Sequence, residues 1–307
     1  MKQHWNRGFH NNIFLAAGFS TLFSSHSIAR MTASGACAGA ADATANAHPT
    51  SSSSSSKLLY IVRHGQALHN PRAEAAKASG CTMEEFFELM KQDDAWDAEL
   101  TELGREQARR CHHTHFNALL LENKLDLVVS STLSRAIETA ELIYPSTSTT
   151  HHIPRISLEQ FREINGSLLN GKRRSKSFLR GRFPMWDFDM LESEEDDTWT
   201  EDMEAYEAAA ERGYQGLAWL LSERKEDIIL LVSHGGLLRY TMNTHPAIHM
   251  ADERSCDHHS HNGKTIDSRF DNCEVRKYRL SWKEAVQDQN KEPIQQKRAI
   301  QLTQLDH

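Results

Sequence analysis

The sequence predicts an α/β fold: three layers, with helices on both faces of a mostly parallel central sheet. Three observations lead there. Short, largely apolar runs recur at 58–62, 125–129 and 228–232, and such runs read as strands buried on both faces. Helical periodicity lies between them, clearest at Leu133, Ala136, Ile137, Ala140 and Ile143, which fall at i, i+3, i+4, i+7 and i+10. Two of the strands also end the same way, in Arg63-His64-Gly65 and Ser233-His234-Gly235. In open α/β sheets ligands bind at the carboxyl ends of strands.

At 307 residues the chain is long enough for one domain with tails. The expected division is a targeting segment and Ser-rich linker over 1–56, a domain over 57–282 and a loose tail over 283–307. No acidic residue precedes Asp42, while Lys2, Arg7 and Arg30 are basic and Ser, Ala and Thr abound. That is the profile of a transit peptide, for a mitochondrion or plastid. The apolar patch 13–23 followed by Ser27-Ile28-Ala29 also fits a secretory signal or the first half of a two-part plastid signal. A start at Met31 would leave a cytoplasmic product. The five cysteines have no paired spacing and read as reduced thiols of an intracellular protein. The net charge of −7 argues against a nucleic-acid partner, and no stretch is long enough to span a membrane. Oligomeric state is not readable.

Along the domain, 71–78 reads as a short helix closed by Gly80, and 82–90 as another with Phe86, Phe87, Leu89 and Met90 on its apolar face. Thr101 is a fair N-cap for a helix to about Leu121 that buries Leu103, Ala108, Cys111, Phe116 and Leu119. The strand at 125–129 leads into the helix carrying Arg135 in its first turn. A strand at 153–158 leads to a turn-rich loop with Glu163. The segment 165–200 is irregular. It holds the basic residues Lys172, Arg173, Arg174, Lys176, Arg180 and Arg182 and an acidic run at 192–197. Both read as solvated surface, with a substrate-facing role for the basic cluster left open. A helix over 200–221, the strand at 228–232, a helix from Leu237 and a last strand over 269–280 follow. The His-rich stretch 245–261 reads as a flexible polar loop. His245 and His249 have i, i+4 spacing, but no carboxylate or thiolate set completes a metal shell.

Arg63 and His64 suit a phosphate: a guanidinium grips oxygens bidentately and an imidazole attacks phosphorus. Arg135, just past a strand end, sits where an anion would meet both backbone donors and a guanidinium. His234 stands at the end of a second strand and can share the crevice with His64.

Taken together, Arg63-His64-Gly65 with Asn70, Leu100-Thr101-Glu102-Leu103-Gly104 with Gln107-Ala108, Ser131 to Ala136 with Thr139-Ala140, Glu163, and Ser233-His234-Gly235 resemble the histidine phosphatase superfamily. That family is also called phosphoglycerate-mutase-like. Arg162-Glu163, Lys172-Arg173-Arg174, Phe183-Pro184 and Asn272-Cys273-Glu274 look most like its plant and fungal mutase-like branch. The resemblance implies a phosphoglycerate-mutase-like fold and a metal-independent phosphomonoester hydrolase without cofactor. In that chemistry His64 becomes phosphohistidine. Arg63, Arg135 and His234 hold the phosphoryl oxygens, Asn70 lines the rim, and Glu163 moves the leaving-group proton. Gly235 and Gly236 stand where some branches carry an acid after the second histidine, which leaves Glu163 as the donor. The substrate would be a phosphorylated small molecule or a phosphoprotein. Two other readings are a phosphoglycerate-type mutase, which must exclude water and hold a second acidic group, and a catalytically silent phospho-ligand binding module.

Overall fold

The computed structural model describes residues 56–92, 95–122, 124–147, 153–252, 269–283 and 298–305. The segment expected to be a targeting sequence, most of the Ser-rich linker and Asp257-His258-His259 lie outside them. A seven-stranded sheet forms the centre, in the order β3-β2-β4-β1-β6-β7-β5. Its strands are β1 (Lys57–Arg63), β2 (Leu127–Ser131), β3 (Arg155–Leu158), β4 (Ile228–Ser233), β5 (Ile248–Asp252), β6 (Val275–Trp282) and β7 (Ile300–Gln304). β1 to β4 pair parallel, β6 runs against β1 and β7, and β5 is parallel to β7. Six strands thus share one direction.

The alternation of side chains along a strand explains the three layers. Leu59 and Ile61, Leu127 and Val129, and Ile229 and Leu231 point into one core. Val62, Val128, Leu230 and Val232 point into the other. The first core is closed by α7 (Tyr206–Ser222) and α8 (Gly235–Thr244) through Leu217, Leu220, Leu237 and Met242. The second is closed by α3 (Glu102–Cys111) and α5 (Ser134–Ile143) through Ala108, Cys111, Ala136, Ile137 and Ala140. Each fully buried Leu or Ile contributes about 1.5–3 kcal/mol, so the two sided apolar runs hold the sheet in place. Helices α1 (Asn70–Ala78) and α2 (Met83–Lys91) follow β1, and α2 starts with a capping box between Thr82 and Glu85. The helix α6 (Lys176–Arg182) lies in the segment 165–200.

Several expectations need correction. The helix from Thr101 is interrupted: α3 ends at Cys111, a π turn covers His112–Phe116, and α4 (Asn117–Leu121) follows. Leu103 is 46% exposed, because Gly104, Ala108 and Cys111, at i, i+4 and i+7, define the buried stripe. The helix expected from Thr200 begins at Tyr206; Glu204 instead ties down the Glu163 loop. The His-rich stretch contains β5, with 253–268 outside the described residues. The tail is not loose throughout. Ile300 and Leu302 are fully buried in β7, so the domain extends past 282 and β6 is not its last strand. No helix of the described residues is long and apolar enough to cross a membrane.

Candidate active site

Strand register brings the two histidines together. Arg63 pairs with Ser233 across β1 and β4, and His64 N–H donates to Ser233 C=O at 3.0 Å. His64 and His234, one residue beyond that pair, have ring centres 4.8 Å apart. Both are buried. On the other side of β4, Ser131 ends β2, and its hydroxyl lies 2.7 Å from His234 Nε2.

Hydrogen bonds place the protons. His64 Nδ1 lies 2.7 Å from the Gly65 carbonyl, which can only accept. Nδ1 therefore carries the proton, and Nε2 carries the lone pair. The Ser131 oxygen accepts from Leu133 N–H; with its own proton directed to His234 Nε2, His234 is the Nδ1–H tautomer. Burial, followed by the Arg135 guanidinium, holds both rings well below the ordinary histidine value and keeps them neutral.

Arg135 occupies the first turn of α5 and is fully buried. Asp97 fixes that turn by accepting from Ser134 N–H at 3.0 Å and Ser134 Oγ at 2.5 Å. Arg135 Nη1 donates to Asn170 C=O at 2.6 Å and Nε points to His64 Nε2 at 3.4 Å. Burial pushes its guanidinium down to about 10, against the pull of Asp97 and Glu163, so it stays cationic at neutral pH. Arg63 is anchored by Nη1 to Phe270 C=O at 2.8 Å.

Around His64, four buried nitrogens have no hydrogen-bond partner among the described residues: Arg63 Nε, His69 Nδ1, Arg135 Nη2 and His234 Nδ1. Asn170 Nδ2 is a fifth, on the residue that receives Arg135. A buried donor without a partner costs about 1–3 kcal/mol. A cluster of them beside a lone pair is what an incoming anion would satisfy.

The loop carboxylate joins this site through α8. Glu163 Oε1 accepts from Leu237 N–H at 2.9 Å and Ile164 N–H at 3.0 Å, and Oε2 accepts from Gly236 N–H at 3.3 Å. It therefore caps the helix that begins directly after His234. A Cβ on Gly236 would lie 2.4 Å from Glu163 Oε1, so the glycine makes room for the acid. Arg212 gathers the loop from behind, donating to the carbonyls of Glu159, Gln160, Arg162 and Glu163 and pairing with Glu204.

The motif around Thr101 supports the backbone just past His64. Gln107 Oε1 accepts from Gln66 N–H at 2.8 Å, and Thr101 donates to the Gln66 side chain at 2.9 Å. A Cβ on Gly104 would stand 2.0 Å from Gln66 C=O, so only glycine permits this approach. Asn272 Nδ2 donates to His64 C=O at 2.9 Å.

The basic cluster is held by local contacts: Lys172 lies over Trp199 and Arg174 over Trp96. Arg173 is buried, pairing with Glu159 at 2.7 Å and donating to the carbonyls of Ser193 and Glu195. Arg162 is buried against Asp196 at 2.7 Å. Arg180 pairs with Asp189, Arg182 with Glu99 and Glu138, and Lys176 donates to Leu191 C=O. Arg173 thus binds the backbone of the acidic run, while carboxylates outside the segment, Glu159, Glu99 and Glu138, pair with Arg173 and Arg182. His245 pairs with Glu211 and stacks on Tyr214, whereas His249 meets Lys283; the two do not converge.

Residues 59–281 match the histidine phosphatase superfamily (branch 1). The chain belongs to that superfamily. Among curated histidine phosphatase relatives, phosphoglycerate mutase-like protein 1 of Arabidopsis thaliana is 32% identical over 246 residues, covering 72% of this chain and 79% of that protein. A second Arabidopsis thaliana phosphoglycerate mutase-like protein is 29% identical over 245 residues, covering 72% and 83%. Among solved structures, a mycobacterial glucosyl-3-phosphoglycerate phosphatase is 21% identical, with a TM-score of 0.41 over 73% of this chain and 93% of that one.

Of the expected histidine phosphatase site, Arg63, His64, Arg135 and His234 stand together and Glu163 adjoins His234. Asn70 is buried, but its Oδ1 accepts from Ala67 N–H and its Nδ2 lies against His69. His69, Asp97 and Asn170 escaped the sequence reading, and Ser131 entered it only as part of a motif. His69 had a signal, standing directly before Asn70; the others make contacts only the fold reveals.

The neutral histidines set a pH dependence. Burial lowers the folded values of His64, His69 and His234 below the ordinary 6.5. Below that pH the unfolded chain binds protons that the folded chain does not. Stability is therefore full above it and falls as pH drops, by up to about 1.4 kcal/mol per unit for each histidine. Urea unfolding at about pH 7.5 and about pH 5.5 should show this loss, and His64→Gln should lessen it. An equal pH response in parent and variant would contradict the assignment.

Proposed function

We propose that the protein is a metal-independent phosphomonoester hydrolase working through phosphohistidine at His64. The observation that carries this is the His64 Nδ1 bond to Gly65 C=O, which leaves Nε2 nucleophilic among unpartnered donors. In the first half-reaction Nε2 attacks phosphorus, the phosphorus–oxygen ester bond breaks, and Glu163, which has taken a proton from solvent before or with substrate binding, gives it to the leaving oxygen. Arg63, Arg135 and His234 Nδ1–H stabilise the charge on the phosphoryl oxygens. In the second, the Glu163 carboxylate takes a proton from water. The water oxygen bonds to phosphorus, and the electron pair of the phosphorus–nitrogen bond returns to Nε2. The substrate is a phosphorylated small molecule or a phosphoprotein.

Hydrolysis is favoured over phosphoryl transfer within one metabolite because three of the basic side chains in 165–200 that a mutase could turn to a second acidic group, Arg173, Arg180 and Arg182, are already paired with carboxylates.

The test compares esters with good and poor leaving groups, because a general acid contributes about 10²–10⁴-fold only where the leaving oxygen needs a proton. Glu163→Ala should lose most turnover on poor leaving groups and less on good ones. Gly236→Ala should show the same selectivity in a folded protein, since its methyl displaces the end of the Glu163 side chain rather than backbone. Equal losses on both ester classes would remove Glu163 from the acid role.

A further inference from the structure

We propose that His69 is a third histidine of the pocket, a fixed Nδ1–H donor that contacts a phosphoryl oxygen of the substrate; this rests on the pocket's being a phosphoryl site. A chain of hydrogen bonds assigns its proton. Ala67 N–H donates to Asn70 Oδ1 at 2.8 Å, which fixes the amide so that Nδ2 is the donor. Nδ2 lies 3.1 Å from His69 Nε2, so Nε2 accepts and carries the lone pair. A neutral imidazole has one N–H, and it is therefore on Nδ1. Burial, with the Arg135 and Arg63 guanidinium groups, keeps the ring neutral.

That Nδ1–H is buried and, among the described residues, has no hydrogen-bond partner. The ring centre lies 6.1 Å from that of His64. An unpaired donor here is costly in the empty site and becomes useful when an anion with several acceptor oxygens arrives. Being neutral, it adds a directed hydrogen bond to the charge supplied by the arginines. Asn70 is then a positioning residue as well, since it orients His69, and its second amide hydrogen stays available to the pocket.

The full chain is compared with His69→Asn, which keeps a side-chain N–H near the Nδ1 position, and His69→Phe, which keeps a ring without the donor. His69→Leu serves the same purpose as His69→Phe without aromatic bulk should that variant fold poorly. The probes are orthovanadate inhibition and kcat/KM on an aryl phosphate. Loss of the donor should weaken both by about 10²-fold, with the Asn variant retaining most of each. Parent-like vanadate inhibition in the Phe or Leu variant would overturn the proposal, as would equal losses in the Asn and Phe variants, which would make the ring a spacer. A parent that neither binds vanadate nor hydrolyses esters would overturn the phosphatase reading itself.

Discussion

His64→Ala is expected to lower phosphate-ester turnover by roughly 10⁴- to 10⁶-fold, with the fold retained. The other imidazole nitrogens that could attack are engaged: His234 Nε2 lies against the Ser131 hydroxyl and His69 Nε2 accepts from Asn70 Nδ2. The backbone at His64 is held independently of its side chain, by Ser233 C=O and Asn272. The loss should therefore appear in kcat/KM while the urea midpoint near neutral pH shifts little. A variant with parent-like turnover would remove His64 as nucleophile.

Arg135→Lys is expected to cost about 10²–10³-fold in kcat/KM, despite keeping a positive charge. The guanidinium uses three nitrogens in three directions: Nη1 to Asn170 C=O, Nε toward His64 Nε2, and Nη2 left open for the anion. An ammonium is a single point charge on a flexible stem and cannot hold that geometry. The start of α5 is secured separately by Asp97 and Ser134, so the change should fall on catalysis and vanadate binding more than on unfolding. A lysine variant with parent-like kcat/KM would show that charge alone suffices.

Why these residues were legible in the sequence, and others not, follows from the range of the interactions. Arg63, His64 and His234 end short apolar strands, and Arg135 opens a helix whose period is visible over ten residues. Such signals are local. The place of Glu163 depends on backbone donors 73 and 74 residues away, which no local pattern records. The charge runs at 172–182 and 192–197 looked solvated because composition does not reveal that Arg173 and Asp196 fold inward. β7 carried a readable alternation, with Ile300 and Leu302 inward, but it is short and lies in a Gln-rich tail. His69 stood in plain view beside Asn70, yet its role follows from a proton position that only the Ala67–Asn70–His69 contacts define.

The central claim is the covalent intermediate. Turnover of a phosphate ester labelled in its phosphoryl group, quenched in base, should leave base-stable, acid-labile label on His64 at Nε2, and His64→Ala should take up none. Turnover without labelled histidine, or label persisting in His64→Ala, would contradict it.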